Sequence, residues 1–481
     1  MTTLRFSTAT TSNHAGTRAF YLARDRFLHE QLQREHRGTF LGTYAAPHGE
    51  TIPVTLTARD LRSHHLILGS TGTGKSTLLE TLALAHWSQG HSVVVVDLHG
   101  DLFYRLAAIG LTQNPGRLTL VDFSWPQSLP SWNPLERWPD IEIGRHVDLL
   151  VGVFKRLFAQ ERAVSFSWGV KTVELARFTF RACLESETPV TLLDLSKFLT
   201  LAPFRDFVLK STSIETQRYF ATRFSDEDLR YVSALLNKLE PVLSSESVQQ
   251  FFGHPSTLDL SGVLDQTGML LINLAKGHLG PVAELVGRLI VDHLHFVALR
   301  RGSRPMDQRH PAALLLDEAH ALAGSETGLD DLLVAGRKFK TYLTISGQSL
   351  SLFSSRLQLH LLGNCDRQWF FRLPFREGKT LAQDVFEPLG AWPRVPLRPY
   401  DRITDPCLTA EEEREASIRD LSRLPVGTCY WLLKGRAFGG RKIHLARPGP
   451  IAMALTEIHR LIDQRATPRA TIASPWTDLP F

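Results

Sequence analysis

HHLILGSTGTGKSTLL, residues 64–79, is the stretch on which the fold turns. It fits the pattern G-x-x-x-x-G-K-[ST], and it lies between an apolar run that reads as a strand and a segment that reads as a helix from Lys75. That is the context a phosphate-binding loop requires. Gly69, Gly72 and Gly74 let the backbone curl so that successive amide N–H groups point at phosphates, and the start of the following helix adds its partial positive charge. Lys75 is placed to reach the β- and γ-phosphates, and the Ser76 hydroxyl to join a magnesium shell. The candidate nucleotide-binding residues are therefore Gly69, Thr71, Gly72, Thr73, Gly74, Lys75, Ser76 and Thr77. A glycine-rich turn without a nucleotide is the bland alternative.

Outward from this loop the texture is that of a parallel α/β sheet. SVVVVD (92–97) and RLTLVDF (117–123) alternate with helical segments, and uninterrupted apolar runs fit strands covered on both faces. A Pro- and Trp-rich connector, SWPQSLPSWNPLERWPD (124–140), ends the regularity. Helical periodicity then predominates to about residue 254, which predicts an all-helical insertion. Strand-like runs resume with GMLLINLA (268–275), AALLLDEAH (312–320), TYLTISGQ (341–348) and RQWFFRLP (367–374).

Towards the N-terminus, Gly16 to Arg37 predicts an amphipathic helix, and Thr39–Tyr44 with Thr51–Thr57 predicts a short strand pair. GTCYWLLKG (427–435) and GGRKIHLARP (439–448) predict a hairpin, followed by a helix from about Ile451. The expected organisation is an N-terminal helix and strand pair over 1–60 and a nucleotide-binding domain in two parts, 61–140 and 261–448. An all-α insertion occupies 141–260, and a C-terminal helix and tail occupy 449–481.

ALLLDEAH ends an apolar strand in two carboxylates. Asp317 suits a magnesium-positioning role, and Glu318 suits orienting or deprotonating water. Gln348, at the end of the next strand, is a candidate for contacting both a γ-phosphate and the attacking water, or else a helix start. Asp97 ends another strand and either sits beside the phosphates or, like Asp101, caps the helix that follows.

With 481 residues, 43% of them hydrophobic and 21% charged, the chain can bury a sizeable core, which excludes a disordered tail or a minimal scaffold. The balance of 54 Lys+Arg against 49 Asp+Glu gives +5, compatible with a polyanionic partner but far from a basic tail. Four scattered cysteines, Cys183, Cys365, Cys407 and Cys429, suggest neither a disulfide framework nor a zinc site. No run approaches the roughly 18 apolar residues of a spanning helix, and MTTLRFSTATTSNHAG lacks the apolar core of a secretory signal. A cytoplasmic protein with no integral membrane segment is the expectation.

Together, HHLILGSTGTGKSTLL, VVVVDLHGDL, WNPLE, ALLLDEAHAL, AGRKFKTYLTISGQSLSLF and LLGNCDRQWFFRLP resemble the HerA/FtsK superfamily of ring-forming ATPases. The likeness runs from about Thr51 to Gln383 and is strongest to the motor domain of TraD/TraG-type conjugative coupling proteins, with HerA-like DNA translocases close behind. It implies a RecA-like P-loop NTPase fold, ATP and Mg2+ as cofactors, a homo-oligomer of hexameric form, and DNA driven through a central channel by ATP hydrolysis. It further implies Lys75 and Ser76 as phosphate and magnesium contacts, Asp317 and Glu318 as the acidic pair, and Gln348 as γ-phosphate sensor. In such rings an arginine from the adjacent subunit completes the site, and Arg337 and Arg372 match arginine-bearing positions; either may instead pair locally or face water. Two departures stand out: the coupling proteins begin with spanning helices, and HerA-type proteins carry a larger N-terminal β-barrel.

Candidate DNA-contacting clusters are Lys155, Arg156 and Arg162, and Arg300, Arg301, Arg304 and Arg309, with a solvated surface as the alternative for each. Phe166, Trp168 and Phe178 suit base stacking or a core. Competing functions are a protein-secretion or pilus-assembly ATPase and a nucleotide-gated partner of a nuclease.

Overall fold

A computed structural model of the chain describes residues 38–45, 51–139, 141–158, 169–225, 243–323, 328–385, 409–433, 441–450 and 453–466, with scattered positions between 226 and 242. The predicted helix between Gly16 and Arg37, together with Arg162, Phe166, Trp168 and Cys407, falls outside them. In chain order the strands are β1 (Thr39–Ala45), β2 (Thr51–Leu56), β3 (His65–Leu68), β4 (Ser92–Asp97), β5 (Leu118–Asp122) and β6 (Met269–Asn273). They continue with β7 (Ala312–Leu316), β8 (Thr341–Gly347), β9 (Arg367–Phe370), β10 (Thr428–Leu433) and β11 (Arg441–Leu445). The chain forms two compact units, one of residues 1–60, 67–78 and 366–447, the other of 61–66, 79–365 and 448–481.

The first unit runs in the order β2-β1-β11-β10-β9-β3. β2 alternates as a half-buried strand should, with Ile52, Val54 and Leu56 buried and Thr51 and Pro53 exposed. It pairs antiparallel with β1, as the sequence predicts, and β10 pairs antiparallel with β11. The N-terminal pair is not free-standing, because β1 also pairs antiparallel with β11. Two stranded ribbons are marginal alone, and this join gives the short pair the extra strands it needs. The core of the unit is anchored by Trp369 on β9 stacked on Trp431 of β10, ring centroids 4.7 Å apart. Beside it the buried Arg367 donates from Nε to Asp60 at 2.6 Å.

The second unit carries the parallel sheet, in the order β8-β7-β4-β6-β5. Every residue of β4, β6, β7 and β8 is buried, which is why β4, β6 and β7 read as apolar runs instead of alternating ones, while β8 buries Thr341, Thr344 and Ser346 among its apolar residues. Parallel strands of one sheet need crossover connections, whether or not they are neighbours. The helix Asp101–Gln113 joins β4 to β5, and Val282–Arg300 joins β6 to β7.

Adjacent strands β5 and β6 are joined by the whole helical stretch, including Ile143–Phe158, Val170–Glu185 and Glu246–Phe252. Its entry and exit segments are zipped together. Trp132 N donates to Phe251 O at 2.7 Å, Asn133 N to Ser256 Oγ at 2.9 Å, and Thr257 N to Ser131 O at 2.9 Å. Asn133 then donates through Nδ2 to Val190 O at 3.0 Å and accepts from Leu135 N at 3.0 Å. The WNPLE motif is thus the pin of the insertion's stem. Phe154, Phe180, Phe198, Phe204, Phe251 and Phe252 are fully buried within the stretch, and Phe178 stacks on Tyr219 at 3.9 Å, a packing role.

Cys183, Cys365 and Cys429 are buried free thiols. Among the described residues, no helix is long and apolar enough to cross a membrane.

Candidate nucleotide site

The phosphate loop lies in the first unit, where β3 runs into Gly69 and the helix Lys75–Ser88 begins at the lysine. The loop is fastened to β9 on one side, Phe371 N donating to Leu68 O at 2.8 Å and Ser70 N to Arg372 O at 2.9 Å. On the other side Gly427 N donates to Thr73 O at 2.9 Å, and Thr73 Oγ1 closes the curl on Ser70 O at 2.7 Å. Two backbone positions need glycine. Gly74 has φ +117°, and a Cβ there stands 3.1 Å from the Phe371 ring and 3.3 Å from Gly427 Cα. Gly72 has φ +72° with nothing within 4 Å of such a Cβ, so it faces open space.

Lys75 is only 5% exposed, and its ammonium donates to Gly69 O at 2.8 Å and Ser70 O at 3.3 Å. A buried cation held on carbonyls of the loop it follows is poised for exchange onto a stronger, anionic acceptor. Thr71, Gly72 and Ser76 are exposed around it, Thr77 partly so. The open glycine curl, the helix start and the available Ser76 hydroxyl fit a triphosphate and its magnesium ion.

The candidate carboxylates lie in the second unit, at the end of β7. Asp317 and Glu318 are 8% and 7% exposed. Asp317 Oδ1 accepts from Ser346 Oγ at 2.9 Å and from Glu318 N at 3.0 Å, which fixes the carboxylate on the sheet. Glu318 has φ +48°, a left-handed conformation that costs a non-glycine residue about 1–2 kcal/mol. The turn is closed by Ala321 N donating to Glu318 O at 3.0 Å. Gln348 follows β8 directly and is exposed. Arg337, in the one-turn helix Gly336–Phe339, is exposed as well.

Arg372 is half-buried in the first unit, and its carbonyl supports Ser70. Asp97 is a cap: its carboxylate accepts from His99 N at 3.0 Å and Phe103 N at 2.9 Å, at the start of the helix Asp101–Gln113. Of the basic run Arg300, Arg301, Arg304 and Arg309, Arg301 alone is buried; Arg304 is exposed, and Arg300 and Arg309 are half-buried. Arg301 is buried against Asp265 at 3.0 Å, Arg304 pairs with Asp265 at 2.8 Å, and Arg309 binds backbone carbonyls and lies over Phe339. Lys155 is exposed.

Sequence reading passed over Phe371 and Gly427, which hold the loop, and Ser346, which holds Asp317. Gly427 carries the only signal, a turn glycine before a strand, with φ +77°.

Residues 39–123 match the family described as Helicase HerA, central domain. The chain resembles the HerA/FtsK-type ATPases. It has the fold of the bacterial conjugative coupling protein TrwB. In its unbound form TrwB is 20% identical, with 87% of this chain and 91% of that chain covered and a TM-score of 0.57. TrwB with ADP and Mg2+ gives 19% identity, 88% and 93% coverage and a TM-score of 0.60. VirB4 of Thermoanaerobacter pseudethanolicus gives 14%, 88% and 98%, and 0.54. No curated protein sequence matches. The segment matched by the family model covers β1 to β5 and with them the whole phosphate loop.

Proposed function

We propose that the chain is an ATPase that couples ATP hydrolysis to DNA translocation, acting in the cytoplasm as a homo-oligomeric ring of hexameric form. The observation that carries this reading is a buried lysine parked on loop carbonyls, in a chain whose β7 ends in a fixed Asp-Glu pair. The likeness to TrwB, solved with ADP and Mg2+ and with ATP and GTP analogues, supports it.

On this reading the amides of Gly72, Gly74 and Lys75 hold the β-phosphate, and Lys75 transfers its hydrogen bonds from Gly69 and Ser70 to phosphate oxygens. Bound Mg2+ neutralises the charge of the β- and γ-phosphates, and Ser76 and Asp317 are the residues to hold it. Glu318 orients the attacking water and accepts its proton. Gln348 senses the γ-phosphate, while Arg337 or Arg372 of a neighbouring copy stabilises the charge that develops in transfer. DNA is held by its phosphate backbone, and no sequence preference is required.

The test is steady-state turnover with Mg-ATP, with and without DNA. Turnover rises with DNA and the stimulation weakens as salt is raised, while Glu318→Gln keeps ATP affinity and loses at least about a hundredfold in kcat. Turnover indifferent to every DNA across the salt series removes the DNA-motor reading.

A further inference from the structure

Glu318 has three rotatable side-chain bonds, and a general base must hold its carboxylate in one place. The backbone of the turn is fixed, but that alone does not fix the carboxylate. Two residues on, in the one-turn helix Ala319–Leu322, His320 brings Nδ1 to 3.4 Å from Glu318 Oε2. The side chain of Glu318 is 10% exposed and that of His320 22%, so the pair meets largely away from water.

The imidazole is also packed against the segment at the end of β8. Its ring meets Phe353 edge to face, centroids 6.1 Å apart at 85°. Gly347, the last residue of β8, lies under both: a Cβ there stands 2.9 Å from the Phe353 ring and 3.8 Å from His320 Nδ1. Gly347 immediately precedes Gln348, and Phe353 follows the one-turn helix Leu350–Leu352 that Gln348 leads into. The imidazole therefore meets both the carboxylate at the end of β7 and the segment at the end of β8, with Nδ1 near each.

We propose that His320 is a positioning residue that orients the Glu318 carboxylate through Nδ1 and links it, through Gly347 and Phe353, to the segment bearing Gln348. The proposal rests on the reading of Glu318 as the general base. Neutral His320 donates Nδ1–H to Oε2 and leaves the other carboxylate oxygen to receive the proton of water. A shift of the Gln348 segment on binding ATP presses on Phe353 and the imidazole, and the 3.4 Å contact closes to a hydrogen bond. His320 itself contacts no nucleotide in this scheme.

Replacement tells the atoms apart. An Asn side chain places its amide nitrogen close to where Nδ1 stands, whereas Gln extends to the region of Nε2. The experiment measures kcat and KM for Mg-ATP in the full chain for His320→Ala, His320→Asn, His320→Gln and Glu318→Gln. Thermal unfolding and binding of a fluorescent ATP analogue accompany each variant.

Expected is a loss of about tenfold or more in kcat for His320→Ala, with KM and analogue affinity within about twofold, recovery of most of kcat in Asn and little in Gln. Unchanged kcat in His320→Ala, a loss confined to KM, or equal recovery by Asn and Gln overturns the proposal while leaving the function intact, provided Glu318→Gln is inactive. Turnover that persists in Glu318→Gln overturns the reading of the base and the proposal with it. If His320→Ala unfolds early, the Asn and Gln pair carries the decision, because both fill the site and only one presents a donor at Nδ1.

Discussion

The two units solve opposite problems with opposite materials. In the first, the functional stretch is backbone: a glycine curl fastened by amide hydrogen bonds to Phe371, Arg372 and Gly427, with one buried ammonium at its end. In the second, the candidate groups are side chains on strands buried along their whole length, and Asp317, Glu318 and Ser346 are carried at the ends of β7 and β8. A cradle for phosphate works by the direction of its N–H groups, so it tolerates no added Cβ where the backbone turns. A carboxylate pair works by its ionisation and aim, so it needs fixed neighbours.

The sharpest way to break this contrast is to add one carbon to the cradle. Gly74→Ala meets both a disfavoured φ and the Phe371 ring, and we expect at least a tenfold loss of ATP affinity with little change in overall folding. Gly72→Ala meets the disfavoured φ alone, so its loss is smaller, about 1–2 kcal/mol or less in binding. Calorimetry on the two variants separates strain from crowding. Equal affinities for both variants and the unaltered protein mean that the curl does not hold the phosphates.

A smaller and more gradual effect separates the units by acid. In the second unit burial, with Arg337 and His65 nearby, pushes His64 down to about 3. Burial, with Arg62 and His310, pushes His91 to about 4, and burial, with His146 and Arg300, pushes His293 to about 3. These imidazoles stay neutral when folded, but take up protons when unfolded below about pH 6.5. Above that pH they contribute no pH dependence; below it the unfolded chain gains protons the folded one refuses, and stability falls. The slope is about 1.4 kcal/mol per pH unit for each such histidine.

In the first unit, burial works to raise the Asp60 carboxyl, but Arg367 and the hydrogen bonds from Thr57 outweigh it and hold it below its ordinary 3.8. Its contribution is present above that value and is lost only as pH falls through the lowered pKa. Hydrogen exchange at pH 7 and pH 5, corrected for intrinsic rates, is expected to show protection falling in peptides of the second unit and holding in β9 and β10. Equal loss in both removes the histidines as the cause.

How much of this was legible follows from what each feature leaves in the sequence. Val93–Val96 and Leu314–Leu316 announce buried parallel strands because both their faces are covered, and the loop announces itself because few residues satisfy its backbone. The joining of β1 to β11 leaves no mark, since pairing between distant segments imposes no period on either. Arg301 reads as part of a surface run because its partner Asp265 lies far back in the chain. Asp97 is ambiguous in sequence because a strand-ending acid serves a ligand or a cap equally well, and only its bonds to His99 and Phe103 decide. Of the holders of the site, Phe371 and Gly427 act through backbone amides that any residue but proline supplies, and Ser346 acts through a hydroxyl whose partner on the neighbouring strand no local pattern reveals.

On the proposed function, Lys75 exchanges loop carbonyls for phosphate when nucleotide arrives. A crystal structure of the protein with Mg2+ and a non-hydrolysable ATP analogue tests it most directly. The account predicts the triphosphate in the curl of Gly69–Thr77, with the Lys75 ammonium moved from Gly69 and Ser70 onto phosphate oxygens and Asp317 turned to the metal shell. Nucleotide absent from the curl, or bound while Lys75 keeps its carbonyl contacts, contradicts it.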